Sequence, residues 1–221
     1  MLLLFSFATT RSLALLVTAA FALWQWSLVP APRRSLFGRS GLLMGVAIIL
    51  EAIGMVTTLY GVNNSLLYNL FSLFEFLLIL SMLTLTMPAW RGLVGVACAA
   101  GVLAMLGNAW VDNPVDFLLT EGILLMALIL SVLLLAVLWR LAETSDDPLP
   151  RVPEFWLYMG FLLYYGGLIP VIGMSRYLYA ENPALANRLY VIMPVLCILR
   201  YVLTALSCRK EAQRILRDLN G

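Results

Sequence analysis

Apolar residues occur along this chain in seven long blocks, separated by short segments that contain proline, asparagine or charged residues. Each block holds about 20 residues, which at 1.5 Å per residue is long enough to cross a hydrocarbon core of roughly 30 Å. The breaks include Pro30, Pro88 and the Asn113–Pro114 pair, which end helices or form turns. The pattern predicts seven transmembrane helices, at residues 12–30, 41–62, 65–87, 91–111, 116–139, 154–174 and 186–207.

The composition agrees with this pattern. Of the 221 residues, 62% are hydrophobic and only 12% are charged, whereas a soluble domain carries about 25% charged residues. We therefore predict an all-α, polytopic membrane protein: a bundle of seven helices over residues 1–207, followed by a basic cytoplasmic tail over residues 208–221. No room is left for a soluble domain, so binding or catalysis must take place within the membrane, on short loops or through a partner.

The basic residues predict the orientation of the bundle. Ten of them fall in the segments on one side of the predicted helices, and only Arg176 and Arg188 fall in the loops on the other side. Because Arg and Lys concentrate in cytoplasmic loops, the N-terminus is predicted to lie outside and the C-terminus inside. The ten inner residues are Arg33, Arg34, Arg39, Arg91, Arg140, Arg151, Arg209, Lys210, Arg214 and Arg217.

The tail has an amphipathic helical pattern. Its apolar residues share one helical face and its basic residues lie elsewhere on the helix, which is typical of a short helix on an anionic membrane surface. Such a helix could contact the inner leaflet or a cytoplasmic partner, while a plain stop-transfer anchor explains the same pattern. The basic residues concerned are Arg209, Lys210, Arg214 and Arg217.

Three ionisable residues lie inside the predicted spans. Glu51 and Glu75 are each about ten residues into a helix, roughly 15 Å deep, and Arg200 lies in the last helix. Ionisable groups within a span are costly and are therefore candidates for a functional site. The other members of this predicted polar core are Tyr68, Asn69 and Tyr164.

The spacing of small and polar residues predicts which helix faces meet. Tyr68, Ser72 and Glu75 share one face of the third helix. Gly160 and Gly167 in the sixth predicted helix allow a close backbone approach. The fifth predicted helix is almost purely apolar, and we expect it to face lipid.

The three ionisable residues allow three interpretations. They could line a polar cavity that binds a ligand or couples to protons. Alternatively, one Glu–Arg pair clamps two helices together while the other carboxyl group stays protonated. In the third interpretation, Arg200 extends toward the inner headgroups and contacts neither glutamate.

The sequence argues against most enzyme chemistries. It contains no histidine, and its single lysine, Lys210, lies outside the predicted spans. His-based metal sites, H-E-x-x-H proteases and retinal Schiff bases are therefore excluded, and no P-loop or G-x-S-x-G motif occurs. The pattern favours a non-enzymatic protein, and we expect no cofactor, no metal and no nucleic-acid partner.

Four short stretches carry a resemblance to known proteins. They are Leu67–Tyr68–Asn69–Leu70, Glu75–Phe76, Phe155–Trp156 and Tyr164–Tyr165–Gly166–Gly167. With these stretches the chain resembles a set of uncharacterised bacterial seven-helix proteins that are often encoded near two-component signalling genes. The resemblance implies a sensor or accessory role in a bacterial inner membrane.

Two functions are compatible with these observations. The first is a non-enzymatic sensor or accessory subunit that binds a small or lipidic ligand, or a protein partner, through the intramembrane polar core. The second is a small-molecule or proton-coupled transporter that uses the same cavity. The expected partners are the lipid bilayer, a membrane or cytoplasmic protein, and a second copy of the chain.

Overall fold

The computed structural model describes residues 2–30, 34–182, 189 and 191–220, and within these residues it is helical with no β-strand. Short 3₁₀ turns at Pro88–Trp90 and Leu149–Arg151 precede the fourth and sixth helices. The helices are α1 Leu2–Ser27, α2 Arg34–Leu59, α3 Ser65–Thr86, α4 Arg91–Val111, α5 Thr120–Thr144, α6 Pro153–Glu181 and α7 Ile192–Asn220.

Six helices, α2 to α7, are long and apolar enough to cross a membrane. The all-helical fold and the multi-pass membrane character are thus confirmed. In α1, the described apolar segment Ser12–Ser27 is shorter than the other six. The seventh crossing and the orientation of the bundle stay predictions.

The helices form a closed ring. Each helix packs against the next one along the chain, and α7 returns to pack against α1. Because α3 also contacts α5 directly, α4 lies on the outside of the ring. This arrangement leaves α1, α2, α3, α5, α6 and α7 around a shared interior.

The main apolar core lies between α3, α5 and α6. Phe76 and Ile79 of α3, Leu130 of α5, and Leu157 and Phe161 of α6 are at most 2% exposed. They belong to one continuous cluster of buried side chains. The core therefore lies on one side of the ring, and α1, α2 and α7 pack on the other side with a smaller cluster of their own.

The expectation that the fifth helix faces lipid is wrong. Ala127, Leu130 and Leu134 of α5 are fully buried, and only a narrow face that includes Val132 and Leu135 is exposed. Half of the apolar segment of this helix is buried in the protein. The prediction failed because lipid tails and the protein interior are equally apolar. The sequence of an all-apolar helix therefore does not show which of the two surrounds it.

The tail is not a separate helix. In the described residues, α7 continues without a break from Ile192 through Ser207 to Asn220. The Ser207 hydroxyl donates a hydrogen bond to the Pro153 carbonyl at 2.7 Å, at the first residue of α6. Residues after Ser207 therefore extend beyond the start of α6, and the predicted short tail helix is the end of α7.

Candidate ligand cavity

Two glycines bring α6 and α7 together. A Cβ atom at Gly160 would lie 3.3 Å from the Arg200 carbonyl oxygen, and one at Gly167 would lie 2.6 Å from a methyl group of Leu196. The predicted close approach at Gly160 and Gly167 is therefore confirmed. It places the inward face of α6, with Tyr164 and Tyr165, directly against Arg200 and its neighbours.

A cavity of about 350 Å³ lies inside the ring, in the half that carries the α2–α3 and α4–α5 connections. This is the predicted outer half. Six helices line it, and α4 does not contribute. Most of its wall is apolar, and its polar side chains come from α2, α3, α6 and α7. The polar lining residues are Glu51, Tyr68, Ser72, Glu75, Tyr164, Tyr165, Cys197, Arg200 and Tyr201.

Glu75 and Arg200 form a buried ion pair between α3 and α7. Arg200 Nη1 donates to Glu75 Oε1, and each residue is only 3% exposed. Tyr165 lines the cavity beside this ion pair. The interpretation in which Arg200 turns to the headgroups and contacts neither glutamate is therefore wrong.

Two tyrosines surround the guanidinium group. The Arg200 Cζ atom lies 4.4 Å from the centre of the Tyr164 ring and 5.0 Å from that of Tyr201. Arg200 Nη2 also donates to the Tyr201 hydroxyl at 3.3 Å. A buried cation is stabilised when it is both paired and placed against aromatic faces, so this arrangement fixes the guanidinium group in one position.

Glu51 enters the same cavity from α2. It is half-buried, whereas Glu75 is almost completely buried. Tyr68 of α3 lines the same cavity, and its hydroxyl packs over Gly54 of α2, where an added Cβ atom would lie 2.6 Å from it. The structure thus brings five of the six predicted core residues to one cavity: Glu51, Tyr68, Glu75, Tyr164 and Arg200.

Asn69, the sixth predicted residue, does not line the cavity. Its amide nitrogen donates to the carbonyls of Pro114 and Phe117, at 3.0 and 2.9 Å. Its side-chain oxygen accepts from the Leu119 amide at 2.9 Å. Asn69 is 3% exposed, and its three hydrogen bonds hold the connection between α4 and α5 onto α3.

The basic residues of the tail lie at the other end of the bundle. Arg209 and Arg217 are exposed, and Lys210 and Arg214 are half-buried. Arg214 forms an ion pair with Glu154 of α6 at 3.9 Å. These four residues do not take part in the cavity.

Two tyrosines of the polar cavity wall were not among the predicted site residues. Tyr165 and Tyr201 each follow a predicted site residue directly, and on an ideal helix adjacent residues point about 100° apart. Both line the cavity because several helices enclose it. Among the described residues, no group of three His, Cys, Asp or Glu side chains is placed to hold a metal ion.

The fold and the cavity define a class of protein: a multi-pass helical membrane protein with a buried ion pair at the edge of an internal cavity. No family model, no curated protein and no solved structure matches the chain.

Proposed function

We propose that this protein is a non-enzymatic membrane sensor or accessory subunit that binds a small amphipathic ligand in its internal cavity. The observation that carries the proposal is the combination of an apolar cavity of about 350 Å³ with a polar wall built around Glu75 and Arg200. Small-molecule sites are typically apolar cavities of about 300–1,000 Å³ with a few well-placed polar groups.

The position of the ion pair supports a binding role over a purely structural one. An ion pair that only clamped α3 to α7 could lie at any depth of the bundle, but here Glu75 and Arg200, together with Tyr164 and Tyr201, line the cavity. A ligand that enters would meet charged and hydroxyl groups on one side and Leu, Ile and Phe side chains on the other.

The test is to fill the cavity and analyse the small molecules that co-purify. Ala47 is 5% exposed and lines the cavity, so Ala47→Trp should occupy part of it. Leu103→Trp is the matched control, because Leu103 is 66% exposed on α4, which does not line the cavity. Both proteins, and the wild type, are purified in mild detergent and their bound small molecules identified by mass spectrometry.

We expect a molecule that the wild type and Leu103→Trp retain and Ala47→Trp loses. The same small molecules in all three preparations, at the same amounts, would contradict the proposal. A thermal unfolding curve of each variant shows whether Ala47→Trp is folded.

One observation supports transport as the second candidate. Two carboxylates, Glu51 and Glu75, line the same cavity, and intramembrane carboxylates are common in proton-coupled carriers. Against this, α6 runs unbroken through Pro170, whereas many transporters bind substrate at interrupted helices.

A further inference from the structure

A second binding feature lies at the opposite end of the bundle from the cavity. Arg151, Lys210 and Arg217 line an open groove of about 420 Å³, together with Gln213 and Leu216. The groove shares no lining residue with the internal cavity.

The groove is formed between α7 and the turn that precedes α6. Lys210, Gln213 and Arg217 are spaced by three and four residues, which places them on one face of α7. Arg151 lies opposite, at the end of the 3₁₀ turn Leu149–Arg151. That turn is held in place by Trp156, whose indole nitrogen donates to the Pro150 carbonyl at 3.0 Å.

The groove carries an excess of positive charge. Within the described part of the chain, Arg151, Lys210 and Arg217 form no ion pair. Two acidic residues at this end are engaged with other cations: Glu143 with Arg140 at 3.2 Å and Glu154 with Arg214 at 3.9 Å. The other nearby acidic residues, Asp146, Asp147 and Glu211, do not line the groove. Three cations that face one groove without an acidic lining residue are arranged to hold an anion.

The position of the groove relative to the apolar spans indicates which kind of anion it binds. Ser207 is bonded to Pro153 at the start of α6, and Lys210 follows it by three residues, about 4.5 Å along the helix. The groove therefore begins where the apolar spans end, at the depth of the lipid headgroups. Leu216, which is 57% exposed, adds an apolar surface to it.

We propose that this groove binds the phosphate headgroup of an anionic phospholipid. Basic residues at the inner membrane surface attract anionic lipids, and here three of them converge on a defined groove with an exposed leucine. Lys210 and Arg151 would contact the phosphate, and the acyl chains would lie along the apolar surface of the bundle.

The test measures binding of phosphatidylglycerol to the purified full chain in detergent by native mass spectrometry, with phosphatidylcholine as the zwitterionic comparison. The variant changes all three groove cations: Arg151→Gln, Lys210→Gln and Arg217→Gln. The matched control removes three exposed basic residues from the same end, outside the groove: Arg91→Gln, Arg140→Gln and Arg209→Gln.

We expect the wild type to bind phosphatidylglycerol more tightly than phosphatidylcholine. The groove variant should weaken phosphatidylglycerol binding at least about tenfold, because each basic residue near the surface contributes about fivefold. The control variant should weaken it less than about twofold. These results together would support the proposal.

Several results would overturn it. An equal loss in both variants would show general attraction to positive charge, and equal binding of phosphatidylcholine would show no selectivity for anions. Displacement of the lipid by an equal concentration of inorganic phosphate would assign the groove to a free anion. An acidic protein that co-purifies with the wild type and is lost from the groove variant, with lipid binding unchanged, would assign the groove to a protein partner.

Discussion

The residue that constrains the interior most strongly is Arg200. Arg200 is 3% exposed, and its guanidinium group contacts Glu75, Tyr164 and Tyr201. A buried charge that loses its partner keeps the full penalty of desolvation. The partners of Arg200 therefore matter for the stability of the bundle as well as for any ligand.

Glu75→Gln removes the charge that balances Arg200. We expect this variant to unfold with about 3–5 kcal/mol less free energy than the wild type, because it leaves a cation buried without a counter-ion. Unfolding in detergent micelles with increasing denaturant measures the difference.

The double variant Glu75→Leu with Arg200→Met is the control for this prediction. Replacing a buried ion pair with apolar residues of similar size is often close to neutral, so it should recover most of the lost stability. A double variant as unstable as Glu75→Gln would contradict the account, since the loss would then not arise from the isolated charge.

The buried hydrogen bonds of the Asn69 side chain lead to a second prediction for a single residue. Asn69→Ala removes three hydrogen bonds and leaves the Leu119 amide without its acceptor. We expect a loss of about 1–3 kcal/mol and faster hydrogen exchange at the Leu119 amide. Exchange detected by mass spectrometry on peptides that cover residues 112–122 provides the measurement.

Asn63→Ala is the comparison for Asn69→Ala. Asn63 also donates to the α4–α5 connection, at the Asp116 carbonyl, and its side-chain oxygen accepts from the Ser65 amide and hydroxyl, but all three bonds are exposed to solvent. We expect an effect below about 0.5 kcal/mol. Equal effects at the two positions would show that burial of the Asn69 hydrogen bonds is not what stabilises the connection.

At the scale of elements, the packing of α4 against α3 depends on one glycine. A Cβ atom at Gly101 would lie 2.4 Å from the ring of Phe76, which is 1% exposed and cannot move aside. Gly95 lies in the same helix with no atom outside its own helix within 4 Å of its Cβ position. The two glycines therefore differ only in what faces them.

Gly101→Ala should destabilise the protein by about 1–3 kcal/mol, because the extra methyl group overpacks the contact between α3 and α4. Gly95→Ala should be neutral or stabilising by up to about 1 kcal/mol, since alanine favours the helix. Thermal unfolding of the two variants in the same detergent measures both. A Gly101→Ala variant as stable as Gly95→Ala would contradict the observed packing.

At the scale of the whole molecule, the closed ring of helices decides what the cavity can do. The return of α7 to α1 encloses the interior, and the Glu75–Arg200 pair ties α3 across the ring to α7. A carrier that exposes its site to both sides would have to separate these contacts. We therefore expect binding without transport.

We expect that the purified chain alone, reconstituted in liposomes, does not dissipate an imposed pH gradient. A pH-sensitive dye trapped inside the vesicles measures the decay, and empty liposomes give the background rate. A decay faster than this background that Glu51→Gln abolishes would contradict the sensor proposal and support proton-coupled transport.

The sequence by itself determined the membrane class and most of the helix positions. Blocks of about 20 apolar residues have few structures open to them in a bilayer, because every backbone polar group must be bonded within its own segment. The third predicted helix, 65–87, matches Ser65–Thr86, and the fourth matches Arg91–Val111. Residue counting also placed Glu51 and Glu75 inside the spans, and the structure brings both to one cavity.

Only the tertiary structure decided the neighbours of each helix face. Asn69 follows Tyr68 directly and therefore points about 100° away from it around the helix. Its side chain contacts the α4–α5 connection and not the cavity. The burial of α5 and the pairing of Arg200 with Glu75 likewise depend on the order in which the helices are arranged around the ring. An apolar helix face is equally stable against lipid and against protein. The sequence pattern therefore does not indicate which of the two an apolar face contacts, and only the packing of the helices decides it.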